Sequence, residues 1–152
     1  MNGTLVIGGL MAGLLWTATW RVGAGQAAPS PAQVKTEKAR GAIAKDPGSC
    51  RGHSDLALAL ARRARETSDP VFYSQADEAL QQCLASSPDD VEALKVRGWV
   101  YLGQHRFAEA RDLALALNKR VPDDVMVYGL LTDAQAELGN YGEAEAACQW
   151  ML

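Results

Sequence analysis

Two pairs of adjacent carboxylates, Asp89-Asp90 and Asp123-Asp124, are the residues whose type best suits acid–base chemistry. Two neighbouring carboxyl groups can differ in pKa, so that one donates a proton while the other accepts one. Each pair, however, directly follows a proline. An aspartate in that place accepts hydrogen bonds from the free amides that begin the next helix. We therefore expect the pairs to cap helices, and we predict no catalytic residue and no enzyme activity in this chain.

The two histidines, His53 and His105, are the next candidates, as metal ligands or general bases. Neither has a partner at a ligand spacing within its own predicted helix. His53 falls on an apolar helix face, where a packed side chain is expected, and His105 falls in a turn, where it is solvated. The sequence also lacks a glycine-rich phosphate loop and a serine nucleophile motif. We predict no metal site and no cofactor.

Three cysteines, Cys50, Cys83 and Cys148, are spread widely along the chain. An odd and scattered set is not typical of a disulfide framework, and no CxxC spacing indicates zinc. Cys83 and Cys148 lie at apolar helical positions, so we expect buried small side chains. Cys50 lies in a Gly/Ser loop and would be the residue to form an intermolecular bond in an exported protein.

The length and composition suit one modest helical domain. The chain has 152 residues and a formal net charge of −3, so it has no basic field and nucleic acid is not an expected partner. Alanine, leucine, glutamate and arginine, which favour helices, dominate after residue 50.

A period of 34 residues organises these predicted helices. Tyr73, Phe107 and Tyr141 recur at that step, and each is followed three positions later by an alanine. Pro88 and Pro122 keep the same step. A fixed period of this length in a helix-forming sequence is typical of a helix–turn–helix repeat that stacks into a solenoid.

The units are predicted at about residues 33–46 (partial), 50–90, 91–124 and 125–152 (cut short), which together form a repeat domain at 33–152. The unit at 50–90 exceeds the period by seven residues, and we expect a longer turn between its helices, near residue 69. Within the regular unit, Gly98 is expected to let the second helix approach closely.

The first 27 residues differ from the rest, because Leu5 to Trp20 carries no charge. Three interpretations remain open: a signal peptide cleaved after Ala27, an uncleaved membrane anchor at residues 5–20, or a soluble buried helix. Residues 28–32 then form a linker. Either membrane interpretation predicts a periplasmic or secreted domain, or one that is anchored at the membrane.

The repeat pattern resembles the tetratricopeptide repeat family. The residues that carry the resemblance are Leu94, Gly98, Tyr101, Phe107, Ala110, Pro122, Tyr128, Leu131, Gly139, Tyr141 and Ala144. Arg97 departs from the family pattern, since leucine is usual there. The resemblance implies an all-α fold: antiparallel helix pairs in a right-handed superhelix, preceded here by one apolar N-terminal helix, with the first helix of each unit lining the concave face.

A protein- or peptide-binding scaffold is the function that this resemblance implies. Carried over from the family geometry, the predicted partner-binding groove contains Arg62, Lys95, Trp99, Met126 and Asp133. Trp99 has two interpretations, an interface anchor or a residue packed against the neighbouring first helix.

The last predicted helix runs to Leu152 without a capping signal. We therefore expect the chain to be the amino-terminal part of a longer protein. This leaves an alternative function, in which the repeats are the non-catalytic arm of an enzyme or envelope assembly factor whose active part lies beyond residue 152.

Overall fold

The computed structural model describes residues 28–152, which form seven α-helices and no strand. The helices are α1 (Pro31–Lys45), α2 (Cys50–Thr67), α3 (Val71–Ser86), α4 (Val91–Gly103), α5 (Phe107–Arg120), α6 (Val125–Glu137) and α7 (Tyr141–Trp150). The predicted all-α class is confirmed for this part of the chain. The predicted N-terminal apolar helix lies outside the described residues, and the right-handed superhelix stays a prediction.

Short polar segments end each helix and start the next. Ser30, Ser49, Asp90 and Asp124 each place a side-chain oxygen where it accepts a hydrogen bond from a backbone amide in the first turn of α1, α2, α4 and α6. Asp124 accepts two, from Met126 at 2.9 Å and from Val127 at 3.1 Å. The expectation that the aspartate pairs cap helices is confirmed for their second members.

Three hairpins follow α1: the extended hairpin (α2–α3), the middle hairpin (α4–α5) and the terminal hairpin (α6–α7). The longer turn that we expected in the extended hairpin is wrong. Its turn, residues 68–70, has the same length as the turn at 104–106. The helices are longer instead: α2 has 18 residues against 13 in α4, and α3 has 16 against 14 in α5. Those differences account for all seven extra residues.

The core has two apolar clusters. One lies between α2, α3 and α4 and includes Leu60, Leu80 and Val96, whereas the other joins α5, α6 and α7 through Leu117 and Leu130. Helix α4 contacts residues of both, and it packs on α2 and α3 as well as α5 and α6. The two outermost helices of the described region, α1 and α7, each pack on one neighbour only. None of the helices at residues 28–152 combines the length and apolar character needed to cross a membrane.

Gly98 does permit a close approach, but not by the helix that we expected. A Cβ atom at Gly98 would lie 2.8 Å from Cδ1 of Leu130, which belongs to α6, the first helix of the next unit. The prediction of the second helix is therefore wrong: the missing side chain lets two first helices pack together. At the end of α4, Gly103 has the Tyr73 ring against it in the same way.

The cysteines agree with the prediction only in part: Cys83 is buried as expected, but the scattered set does contain a disulfide. Cys50 and Cys83 form a disulfide, with Cα atoms 4.2 Å apart. They meet because the start of α2 and the end of α3 lie at the same end of the extended hairpin. Cys148 is exposed rather than buried, since it lies on α7, whose only neighbour in the described region is α6.

Candidate functional site

A groove of about 380 Å³ lies across the first helices of the three hairpins, and we call it the central groove. Most of its lining comes from α2, α4 and α6, and the rest comes from Tyr73 of α3, His105 in the turn of the middle hairpin and Phe107 of α5. The apolar part of the lining comprises Leu58, Ala61, Tyr73, Trp99, Leu102, Gly103, Phe107 and Ala136, and the polar part Arg62, Arg65, His105, Asp133 and Glu137.

Trp99 lies in the middle of the central groove. The indole is half-buried and packs against the cluster that contains Leu130 and Val127. The guanidinium carbon of Arg65 lies 5.9 Å from the centre of the ring, at the outer limit for a cation–π contact. Part of the side chain therefore packs on the neighbouring first helix, as one interpretation of Trp99 expected, and the rest lines the groove. Its role as an interface anchor stays a prediction.

The two sides of the central groove carry opposite charge. Arg62 and Arg65 project from α2, whereas Asp133 and Glu137 project from α6, so the apolar Trp99 region lies between cations and carboxylates. Removal from water raises the pKa of the Asp133 carboxyl; Arg65 opposes that rise and Glu137 adds to it. A surface of this kind can hold a charged or zwitterionic chain, and it contains no nucleophile paired with a base.

A second groove, between α1 and α2, adjoins the first. Leu58 and Arg62 line both, and Lys35 and Lys38 of α1 line only the second, which we call the basic groove. Its one carboxylate, Asp55, lies 4.0 Å from the guanidinium of Arg51. The cationic side of the central groove therefore continues toward α1.

Lys95 and Met126 do not line the central groove, unlike Arg62, Trp99 and Asp133. Lys95 is buried, and its ammonium donates to Asp124 at 2.8 Å and lies 2.6 Å from Glu92. Burial disfavours its charge, but the hydrogen bonds to Asp124 and Glu92 outweigh burial and raise the pKa of Lys95. The placement of Lys95 in an open groove is thus corrected, because its ammonium joins α4 to the start of α6. Met126 is half-buried in the first turn of α6.

Two other clusters have potential chemistry, and local structure accounts for both. The thiols of Cys50 and Cys83 and a carboxylate oxygen of Asp90 lie within 4.8 Å of one another. The cysteines are joined to each other, however, and Asp90 accepts a hydrogen bond from the amide of Ala93 at 2.8 Å. Nε2 of His53 lies 3.0 Å from the carbonyl of Pro47, so this histidine ties α2 to the preceding turn.

Several lining residues of the central groove were missing from the predicted set, among them Arg65, Tyr73, His105 and Phe107. The first could have been found, since Arg65 follows Arg62 at helical spacing on the same helix face. Tyr73 and Phe107 recur at the repeat period, and that period alone does not indicate a place in the groove. His105 was placed correctly in the turn, but its ring packs edge-on against Phe107, with centroids 5.4 Å apart, which brings it to the groove.

Comparison with known proteins agrees with the hairpin architecture. Residues 73–134, from α3 into α6, match the tetratricopeptide repeat family. No curated protein matches the chain. Repeats of this type generally mediate protein or peptide binding and are typically non-catalytic. The match, together with the hairpins of α3 to α6, supports repeats of the tetratricopeptide type in this part of the chain.

Proposed function

We propose that this protein is a scaffold that binds a peptide segment of a partner protein in the central groove and takes no part in catalysis. The observation that carries the proposal is the half-buried Trp99 at the point where α2, α4 and α6 converge on one open cavity. Tryptophan offers a large apolar area and loses little conformational entropy on binding, which is why it often dominates interface energetics.

The size and lining of the groove favour a peptide. Its volume of about 380 Å³ lies near the lower end of ligand-pocket volumes, roughly 300–1,000 Å³. Both apolar and charged side chains line it, so a chain with several kinds of side chain fits better than a single small apolar molecule. The first helices of stacked repeats also form extended surfaces that suit elongated partners.

The central groove is tested by selecting peptides from a random library on the full-length protein and measuring their affinity by fluorescence anisotropy. We expect Trp99→Ala to weaken binding of the selected peptides at least tenfold, because the anchor is lost. The matched control is Trp150→Ala, since Trp150 is also partly exposed but stacks on Tyr128 at the far end of the array, with ring centroids 3.8 Å apart. Equal affinities for wild type and Trp99→Ala would refute the groove assignment.

The proposal extends to location: the repeats act outside the cytoplasm, either after cleavage near Ala27 or anchored by residues 5–20. Two observations support it, the uncharged run from Leu5 to Trp20 and the Cys50–Cys83 disulfide. Disulfides persist in oxidising compartments and are rare in the cytosol.

Intact mass after cell fractionation separates the alternatives. A chain that starts near Ala28 in a soluble extracytoplasmic fraction means a cleaved signal peptide, whereas a full-length mass in the membrane pellet means an anchor. A full-length protein with three free thiols in the cytosol would contradict both.

A further inference from the structure

The charged side chains of the two grooves are arranged in a gradient along one direction of the molecule. Lys35 and Lys38 lie on α1, Arg62 and Arg65 on α2, and the carboxylates of Asp133 and Glu137 on α6. Trp99 and Leu102 of α4 lie between the cations and the carboxylates. The order across the surface is therefore cationic, apolar and anionic.

Within residues 28–152 these charges are not neutralised by one another. None of the four cations forms a salt bridge to a described residue, and neither do the two carboxylates. Lys95 and Asp124, by contrast, form an ion pair with each other that joins α4 to the start of α6. Arg62, Arg65, Asp133 and Glu137 are all exposed at the rim, so a bound chain can reach each of them.

We propose that the central groove selects peptide segments of mixed charge, with an acidic end over Arg62 and Arg65, an apolar residue on Trp99, and a basic end beside Asp133 and Glu137. This inference rests on the proposed function and adds the chemical class of the partner. Complementary charge on both sides fixes the register of the peptide and disfavours chains of one sign, which place like charges together.

The partial removal of Asp133 from water supports this choice. Its raised pKa means that the ionised form lacks part of its usual solvation. A basic side chain of a peptide would supply the missing stabilisation. Arg65 lies close enough to favour the Asp133 charge, yet it forms no salt bridge with it.

The spacing of the helices sets the length of the segment. Neighbouring packed helices lie roughly 9 Å apart, so the axes of α2 and α6, which both pack on α4, are at most roughly 18 Å apart. An extended peptide advances roughly 3.3 Å per residue and covers that distance in about six residues. A hexapeptide with charged residues at each end therefore spans the groove.

Three labelled hexapeptides with blocked ends test the inference: Glu-Glu-Phe-Leu-Lys-Lys, Glu-Glu-Phe-Leu-Glu-Glu and Lys-Lys-Phe-Leu-Lys-Lys. Anisotropy titrations of the full-length protein in neutral detergent at low salt give the three affinities. We expect the mixed peptide to bind about tenfold more tightly than either peptide of uniform charge, and this advantage to fall as salt is added.

Reversing the charge on one side, or wall, of the central groove, either Arg62 and Arg65 or Asp133 and Glu137, tests whether these side chains select the peptide. In Asp133→Lys/Glu137→Lys both sides are cationic, so the acidic peptide becomes the tightest of the three. In Arg62→Glu/Arg65→Glu both are anionic, so the basic peptide becomes the tightest. All four side chains are exposed, and far-UV circular dichroism checks that each variant folds, with the matching alanine variants as substitutes if one does not.

The outcomes separate this inference from the proposed function. If Trp99→Ala weakens all three peptides but their ranking is the same in every wall variant, the groove binds peptides without charge selection and the inference is wrong. If no peptide, from the library or from this series, depends on Trp99, the proposed function itself fails and the inference with it. A change of ranking with the reversed wall supports both.

Discussion

The extended hairpin and the terminal hairpin share one topology but differ in how they are held. The extended hairpin has 18- and 16-residue helices, a disulfide between its outer ends, and neighbours on both sides, α1 and α4. The terminal hairpin has helices of 13 and 10 residues, and α7 packs on α6 alone. Within α7, Tyr141 is 73% exposed and Trp150 41%.

This difference predicts that units with the same helix–turn–helix topology differ in stability. The stability of a stacked array is approximately a sum of the intrinsic stability of each unit and the interfaces with its neighbours. The extended hairpin has long helices and two neighbouring interfaces, so it gains from both its intrinsic stability and its interfaces. Within the described region, α7 of the terminal hairpin has one interface. We expect hydrogen exchange to be slowest in α2 and α3 and fastest in α7.

Removing the Cys50–Cys83 disulfide has the largest expected effect on the difference in stability between the extended and terminal hairpins. In Cys50→Ser/Cys83→Ser the denatured chain regains the freedom of a loop that spans 33 residues. The free energy of unfolding should fall by about 3 kcal/mol, measured by urea denaturation under non-reducing conditions. The protection of the α2 and α3 backbone amides against hydrogen exchange should fall toward that of the α6 amides. Cys148→Ser is the control, since Cys148 is free and exposed, and equal urea midpoints for the double variant and wild type would contradict the prediction.

Loss of the Lys95 ion pair is expected to weaken the packing of the terminal hairpin on the middle hairpin. Lys95→Met leaves the partly buried Asp124 carboxylate without its cation and should lower the free energy of unfolding by about 2 kcal/mol. The control is Arg120→Met, whose pairing with Asp89 is exposed and should be worth less than about 1 kcal/mol. Similar losses in the two variants would contradict the assignment of a buried connection.

The same pair predicts a pH dependence. The hydrogen bond from Lys95 lowers the pKa of Asp124, against the opposing effect of burial, and the amides of Val127 and Met126 lower it further. A lowered folded-state pKa gives stability that is complete above the ordinary aspartate pKa, about 4. That stability is lost as pH falls through the lowered value. The difference between wild type and Lys95→Met should therefore shrink below about pH 4, and a constant difference would contradict it.

Alanine substitutions of two glycines on first helices should change the free energy of unfolding in opposite directions. Gly98→Ala places a Cβ atom against Leu130 and should destabilise the packing of α4 on α6 by about 1 kcal/mol, after the gain in helix propensity. Gly129→Ala on α6 meets nothing within 4 Å and should stabilise the protein by up to about 1 kcal/mol. Thermal unfolding measures both, and shifts of the same sign would show that the α4–α6 contact is looser than described.

The smallest expected effect concerns the turns. His105 has a φ of 59° in the middle hairpin, whereas Gly139 has a φ of 80° at the matching place of the terminal hairpin. A side chain in this left-handed region is strained, so His105→Gly should stabilise the middle hairpin by roughly 0.5 kcal/mol. Gly139→Ala is the reverse change and should destabilise the terminal hairpin. A loss of stability in His105→Gly would mean that the contact of His105 with Phe107 matters more than the strain.

Periodicity predicted the helices well but predicted the sites of interaction poorly. The step from Phe107 to Tyr141 placed the second helices of two units, and the prolines followed by aspartates placed the starts of α4 and α6. Lys95 shows the limit. Its position on α4 is compatible with the groove, but the ammonium reaches Asp124, 29 residues further along the chain, and no local pattern encodes that contact.

The sequence by itself determined the helical class and the aspartate caps of α4 and α6, because helix propensity and capping aspartates act over a few neighbouring residues. The tertiary structure alone decided which side chains meet. Cys50 joins Cys83 because the start of α2 and the end of α3 lie at the same end of the extended hairpin, and Trp99 lies between opposite charges because α4 packs between α2 and α6. These contacts depend on how the hairpins stack, which a repeat pattern in one sequence does not specify.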